Sequence, residues 1–304
     1  MYLLRYVNRA GGGACLGVAD GESVRPIRVG RLGALLARPL EAIREVLEHP
    51  GAAALGSEEV ISLPPVDGRM EVWAAGVTYS RSKQARMEES VYGDVYDRVY
   101  EGNRPELFFK SVPWRVVTDG EPIAIRRDSL LNVPEPELAV VANADGEIVG
   151  YVVCNDVSSR SIEGESPLYL PQAKIYAGAC ALSSRIRPAW EIDPSDLTIT
   201  VDVCRGGEVA WSGQTSTSQM RRSLAELLEY LFREEQFPEG AVVSTGTGIV
   251  PEFGFTLTVG DVVIIAVADV GTLVNHVVAG KDGLAWLGAR SRGSLRIGAG
   301  GPTC

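Results

Sequence analysis

Apolar positions along this chain come in short alternating runs, with only a few helical stripes. Residues 3–7 and 15–19 read as strands separated by Gly11-Gly12-Gly13. Over residues 39–49, Leu40, Ile43, Val46 and Leu47 share one helical face, and Pro50-Gly51 ends it. Ser62-Leu63-Pro64-Pro65 reads as an extended linker, because each proline disfavours helix in the residue before it. These signals predict a small α/β unit over residues 1–68 and a larger domain over 69–304.

From Val72 onward the pattern becomes β-rich. Residues 137–142 and 148–155 flank Asn143-Ala144-Asp145-Gly146, a hairpin turn. Residues 197–204 and 208–212 flank Arg205-Gly206-Gly207, and residues 261–267 and 272–278 flank Val270-Gly271. Leu224, Leu227, Leu228 and Leu231 predict an amphipathic helix over 222–234. The 34 glycines, many between short strands, suit a curled β-sheet with tight corners. The tail 298–304 is expected to be mobile.

Composition narrows the function classes. The 304 residues are 45% hydrophobic and 22% charged, as in globular proteins that bury a large core. Lys plus Arg total 29 against 39 Asp plus Glu, a net charge of −10, which repels phosphate backbones and argues against nucleic acid as a partner. The longest strongly apolar stretch, Val262 to Ala268, is 7 residues, far below the roughly 20 of a membrane span. The first residues carry no apolar leader pattern, so a cytoplasmic protein is expected. The 5 cysteines contain no CxxC pair and the 2 histidines, His49 and His276, lie far apart, which excludes a thiolate or histidine-rich metal site.

The chemistry concentrates in acids. In a strand, residues i and i+2 face the same side, so Glu135 and Glu137 project together. Two such acids either face water or share a cation. Asp156 ends the partner strand of the same hairpin and returns close to them. Three carboxylates without histidine form a hard oxygen site of the kind that binds Mg²⁺.

These residues carry a resemblance. Glu135-Pro136-Glu137-Leu138-Ala139-Val140-Val141, Asn155-Asp156-Val157-Ser158-Ser159-Arg160, Thr245-Gly246-Thr247, Val259-Gly260-Asp261-Val262-Val263 and Val270-Gly271-Thr272-Leu273-Val274-Asn275 together resemble the fumarylacetoacetate hydrolase superfamily across residues 70–280. The resemblance implies an α+β fold whose C-terminal domain is a rolled mixed β-sheet, preceded by a small N-terminal α/β domain. It also implies Glu135, Glu137 and Asp156 as ligands of Mg²⁺, with Mn²⁺ or Ca²⁺ as substitutes, in a homo-oligomer (dimer or tetramer). Arg104 to Lys110, Leu168 to Gly178, Glu71-Val72-Trp73 and Gly76-Val77-Thr78-Tyr79 look like the 2-keto-3-deoxy-arabinonate dehydratase branch. There, the residues matching Glu106 and Lys174 flank the metal-bound keto acid.

The C–C hydrolases of the superfamily carry a histidine shortly after a Gly-x-x-Tyr turn. Here Ser80-Arg81-Ser82-Lys83 follows Tyr79, so water attack lacks its base and dehydration is favoured over cleavage. The competing expectation is a hydrolase or decarboxylase of acylpyruvate-type or oxaloacetate-type diketo acids. Lys174 lies among apolar residues and either serves the substrate or pairs with an acid such as Glu163. Glu106 precedes Leu107-Phe108-Phe109, where a carboxyl has a raised pKa suited to proton transfer. Lys110 reads as a second-tier residue, equally structural. Gly246 and Thr247 offer an N–H and a hydroxyl to a substrate carboxylate. Arg160 either binds substrate or anchors the Asp156 loop.

Overall fold

A computed structural model describes residues 1–89, 93–252 and 254–290, so the tail expected to be mobile lies outside the described residues. One large sheet runs in the order Leu55–Gly56, Ser23–Pro26, Cys15–Asp20, Tyr2–Asn8, Arg185–Pro188, Ile148–Asp156, Pro136–Ala142, Ala241–Ser244, Glu71–Gly76, Glu106–Ser111. Neighbours are antiparallel except Ala241–Ser244, which runs parallel to Glu71–Gly76. A second sheet holds Glu208–Ser216, Thr198–Arg205, Val262–Val267, Gly271–Ala279 and Ile123–Ile125. With helices packed on these mixed sheets, the architecture is α+β.

The large sheet is buried on both faces, which is why its central strands read as apolar runs without clean alternation. Leu138, Val140, Val153 and Val243 pack toward Ile199, Val201, Ile265 and Leu273 of the second sheet. Ala139, Val141, Val152 and Val242 pack on the other side against Leu32, Leu35, Ile43 and Leu47 of the early helices Leu32–Leu36 and Leu40–Glu48. The early strands continue the same sheet, with Leu3 opposite Ile186 and Leu4 opposite Arg185.

Most expected strands form, with longer ends. Three departures have physical causes. The stretch read as a linker contributes a hydrogen-bonded strand, Val60–Leu63, because Leu63 pairs with Arg5 before the prolines interrupt the ladder. The helix expected over 222–234 starts later, at Leu224, because Ser223 caps it by accepting the Glu226 N–H. Two helices absent from the sequence reading, Ser80–Glu89 and Gly93–Glu101, interrupt the β-rich region. The first lacks an apolar stripe, so periodicity does not reveal it.

Leu138 is fully buried between the sheets. Leu138→Ala is expected to lower stability by roughly 2–5 kcal/mol, read as a shifted urea midpoint at unchanged slope.

Candidate metal and acid–base site

The register of one hairpin builds the centre of the site. Pro136 pairs with Asn155 and Glu137 with Cys154, so Glu135 and Asp156 face each other at its open end, where the Asp156 N–H donates to the Glu135 carbonyl at 2.9 Å. Candidate ligand oxygens of Glu135, Glu137 and Asp156 lie within 4.8 Å of one another, and all three residues are buried. A buried, all-carboxylate donor set fits a hard divalent cation such as Mg²⁺.

Each carboxylate is held from behind. Glu137 Oε2 accepts from Ser244 Oγ at 2.5 Å and from the Gly246 N–H at 2.8 Å. Arg86 Nη2 donates to Glu135 Oε1 at 3.0 Å, and Arg160 Nη2 lies 3.2 Å from the same oxygen. Lys174 Nζ donates to Glu135 Oε2 at 2.6 Å, Asp156 Oδ2 at 3.0 Å and Ser158 Oγ at 2.6 Å. Lys110 Nζ pairs with Asp156 Oδ1 and donates to the carbonyls of Val157 at 3.2 Å and Lys174 at 2.6 Å. Both ammonium groups thus use all three donors they possess. Lys110 ties the Asp156 carboxylate to the backbone that carries Lys174.

This crowding separates the acids electrostatically. Burial alone would raise the Glu135 carboxyl, but Lys174, Arg86 and Arg160 outweigh it and hold it far below the usual carboxylate range. Glu137 is pushed well above that range by burial, reinforced by Asp156, Cys154 and Glu135 and only partly offset by Ser244. Glu106 is raised chiefly by burial, with Arg86 and Lys174 pulling it back and Glu135 and Asp156 pushing it up.

Two glycines make room. Gly76 pairs with Glu106 across Glu71–Gly76 and Glu106–Ser111, and a Cβ at Gly76 would run into the Glu106 carboxylate. Gly246 has φ +91°, and a Cβ there would strike the Thr78 hydroxyl, which donates to the Thr245 carbonyl at 2.7 Å. Between them, Val77 holds φ +53°, a left-handed conformation unusual for a β-branched residue and worth about 1–3 kcal/mol of strain. The helix Ser80–Glu89 follows directly, with Ser82 and Arg86 lining the same cavity as the acids.

The sequence-predicted residues mostly converge. Glu106, Glu135, Glu137, Lys174, Gly246 and Thr247 line one narrow cavity. Gly246 directs its N–H at Glu137, and the Thr247 hydroxyl closes a local turn with Ile249, accepting from its N–H at 3.1 Å. Arg160 touches Glu135. Lys174 pairs with Glu135 and Asp156, whereas Glu163 pairs with Arg86. His49 is exposed and His276 half-buried on the strand Gly271–Ala279. Sequence reasoning missed Arg86, Ser158 and Ser244, and named Glu163 only as an alternative partner of Lys174, whereas it pairs with Arg86. The register Gly76–Glu106 was a readable signal, but the contacts of Arg86 depend on an unforeseen helix.

Lys110→Met leaves Asp156 Oδ1 without its cation. The variant is expected to bind Mn²⁺ roughly 10–100-fold more weakly by calorimetric titration, the usual scale for losing a partner behind a ligand. Unchanged affinity in a folded variant would reduce Lys110 to a space-filling role.

The fumarylacetoacetate (FAA) hydrolase C-terminal family model matches residues 71–278. A probable 2-keto-3-deoxyxylonate dehydratase of Haloferax volcanii is 51% identical over 214 residues, 70% of this chain and 73% of that protein. The 2-dehydro-3-deoxy-D-arabinonate dehydratase of Saccharolobus solfataricus is 44% identical over 212 residues, 68% of this chain and 71% of that protein. A solved structure of 2-keto-3-deoxy-D-arabinonate dehydratase complexed with magnesium and 2,5-dioxopentanoate superposes with a TM-score of 0.79 at 36% identity, covering 92% of this chain and 99% of that one. The buried carboxylates at the open end of the hairpin therefore lie in a chain that belongs to the fumarylacetoacetate hydrolase family.

Proposed function

We propose that this protein is a Mg²⁺-dependent hydro-lyase that dehydrates a 2-keto-3-deoxy sugar acid, of the 2-dehydro-3-deoxy-D-arabinonate type, to a 2,5-dioxo acid in pentose breakdown. The observation that carries this reading is one cavity lined by Glu135, Glu137, Glu106 and Lys174 beside Asp156, in a chain similar to named dehydratases. The reading includes a rolled β-domain with a small N-terminal unit, and a cytoplasmic homo-oligomer. Leu130 and Leu168, 92% and 86% exposed, are apolar area that a second copy would cover. Among the described residues no helix is long and apolar enough to cross a membrane.

Mg²⁺ held by Glu135, Glu137 and Asp156 would polarise the keto acid and make its C3 protons more acidic. Apart from its strand pairing with Gly76, Glu106 has no side-chain hydrogen bond or ion pair among the described residues, so its carboxylate is free to accept the C3 proton. The resulting carboxylic acid returns a proton to the C4 hydroxyl, which leaves as water while the C3–H electrons form the C3=C4 bond. Loss of a C5 proton and protonation of C3 then shift the double bond to C4=C5, and that enol tautomerises to the 5-oxo group. Lys174, whose ammonium lies beside Glu135, Asp156 and Ser158, supplies positive charge next to the developing enolate. Gly246 and Thr247 line the cavity where the substrate carboxylate binds, and Arg160 keeps Glu135 ionised.

Assaying a panel of 2-keto-3-deoxy acids with Mg²⁺ should reveal 2,5-dioxo acid formation that EDTA abolishes. Efficient acylpyruvate cleavage with the sugar acids untouched would reverse the assignment to a hydrolase. Glu106→Gln and Lys174→Met should each lower kcat by roughly 10²-fold or more, with Mn²⁺ affinity nearly unchanged in Glu106→Gln. Because Glu106 acts as a carboxylate whose pKa is raised, kcat/KM should fall as pH drops through an acid limb above the ordinary glutamate value of about 4.3. A limb that persists unaltered in Glu106→Asp and Gly76→Ala, both of which move this carboxyl, would assign it to another group.

A further inference from the structure

A second cleft, of about 640 Å³, borders Glu106. Glu106 borders both this cleft and the carboxylate-lined cavity, so the group assigned to C3 and C4 stands between the two spaces. The cleft walls are largely apolar, from Val95 and Val99 of the helix Gly93–Glu101, Pro105, and Pro167 with Leu170 opposite. The charged groups at its rim have partners of their own. Arg98 Nη2 lies 2.9 Å from Asp94 Oδ2, and the Arg104 guanidinium sits 5.5 Å above the Tyr230 ring.

One wall is fixed. Arg222, buried, donates to the carbonyls of Val99 at 3.2 Å, Gly102 at 2.6 Å and Asn103 at 3.2 Å. It thereby pins the end of the helix and the segment leading to Pro105-Glu106. The space beside Glu106 is therefore built into the fold.

We infer that this cleft is a subsite for the carbons beyond C4, and that the protein accepts 2-keto-3-deoxy acids longer than five carbons. The inference rests on the proposed dehydratase reading for the direction of the substrate. With the carboxylate and keto oxygen at the acidic centre and C4 beside Glu106, the next atoms lead outward into the cleft. A pentonate offers only a C5 hydroxymethyl group there, a small fraction of the volume. Apolar walls favour each further carbon by the free energy of removing a methylene from water, about fourfold in affinity per carbon when the fit is good.

The test uses unreactive straight-chain 2-oxo acids, from 2-oxobutanoate to 2-oxooctanoate, bound to the Mg²⁺-loaded protein and followed by calorimetry. Affinity should rise from 2-oxobutanoate onward by roughly threefold to fourfold per carbon. Val99→Phe and Leu170→Trp, on opposite walls, should each flatten that rise. In parallel, a 2-keto-3-deoxy-hexonate, which adds a CHOH group, should be dehydrated with kcat/KM within about 10²-fold of the pentonate value, the margin for an added hydroxyl in an apolar pocket. Affinities that stay flat or fall beyond four carbons in the wild type would overturn the subsite. Turnover of the pentonate reports separately on the dehydratase reading, so a flat series with an active pentonate removes the subsite and leaves the function standing.

Discussion

Everything in this molecule answers to one constraint, the placing of several carboxyl groups inside a sheet. Glu106, Glu135, Glu137, Asp156 and Glu163 gather around a single cavity with Lys110, Lys174, Arg86 and Arg160. Five carboxyls against four cations leave one formal negative charge if every group is ionised. Removing a partner from such a buried pair typically costs about 3–5 kcal/mol, because the remaining charge cannot reach water. A divalent cation together with a carboxylate substrate brings the formal count to zero. The cluster is thus balanced for the complex, and its acids are held apart in proton affinity by position alone.

The fold serves that constraint by rigidity. Both faces of the large sheet are packed, so the hairpin Pro136–Ala142 and Ile148–Asp156 cannot slip without moving core residues to the wrong side. The parallel strands Ala241–Ser244 and Glu71–Gly76 both end at the site, one delivering Ser244 and Gly246, the other Gly76 and the strained Val77. The Val77 turn lets the chain leave the sheet and start the helix that brings Arg86 back over Glu135. The strain is offset by the hydrogen bonds of Thr78 and by packing around it.

The strands and the acid cluster were legible because both follow from period two. Glu135 and Glu137 share a face by spacing, and a short turn forces Asp156 back to them. The resemblance added Glu106 and Lys174, and both line the cavity with the acids. The helix Ser80–Glu89 was not legible, since its mean composition is polar and no apolar stripe marks it. Arg86, and its pairing with Glu163, were hidden for the same reason. The role of Lys110 escaped because two of its three partners are main-chain carbonyls, which no residue pattern encodes. Gly246 was read as a donor to substrate, but its N–H donates to Glu137, a contact set by a positive φ that only the folded chain displays.

Glu135, Glu137 and Asp156 are the three carboxylates placed to bind one divalent cation together. Crystals grown with Mn²⁺ and measured for its anomalous scattering test this without reference to turnover. A single strong peak is expected in contact with all three carboxylates, with the Lys174 ammonium displaced from between Glu135 and Asp156. A peak at any other group of residues, or a cluster that excludes Mn²⁺ and keeps Lys174 bridging the two acids, would contradict it.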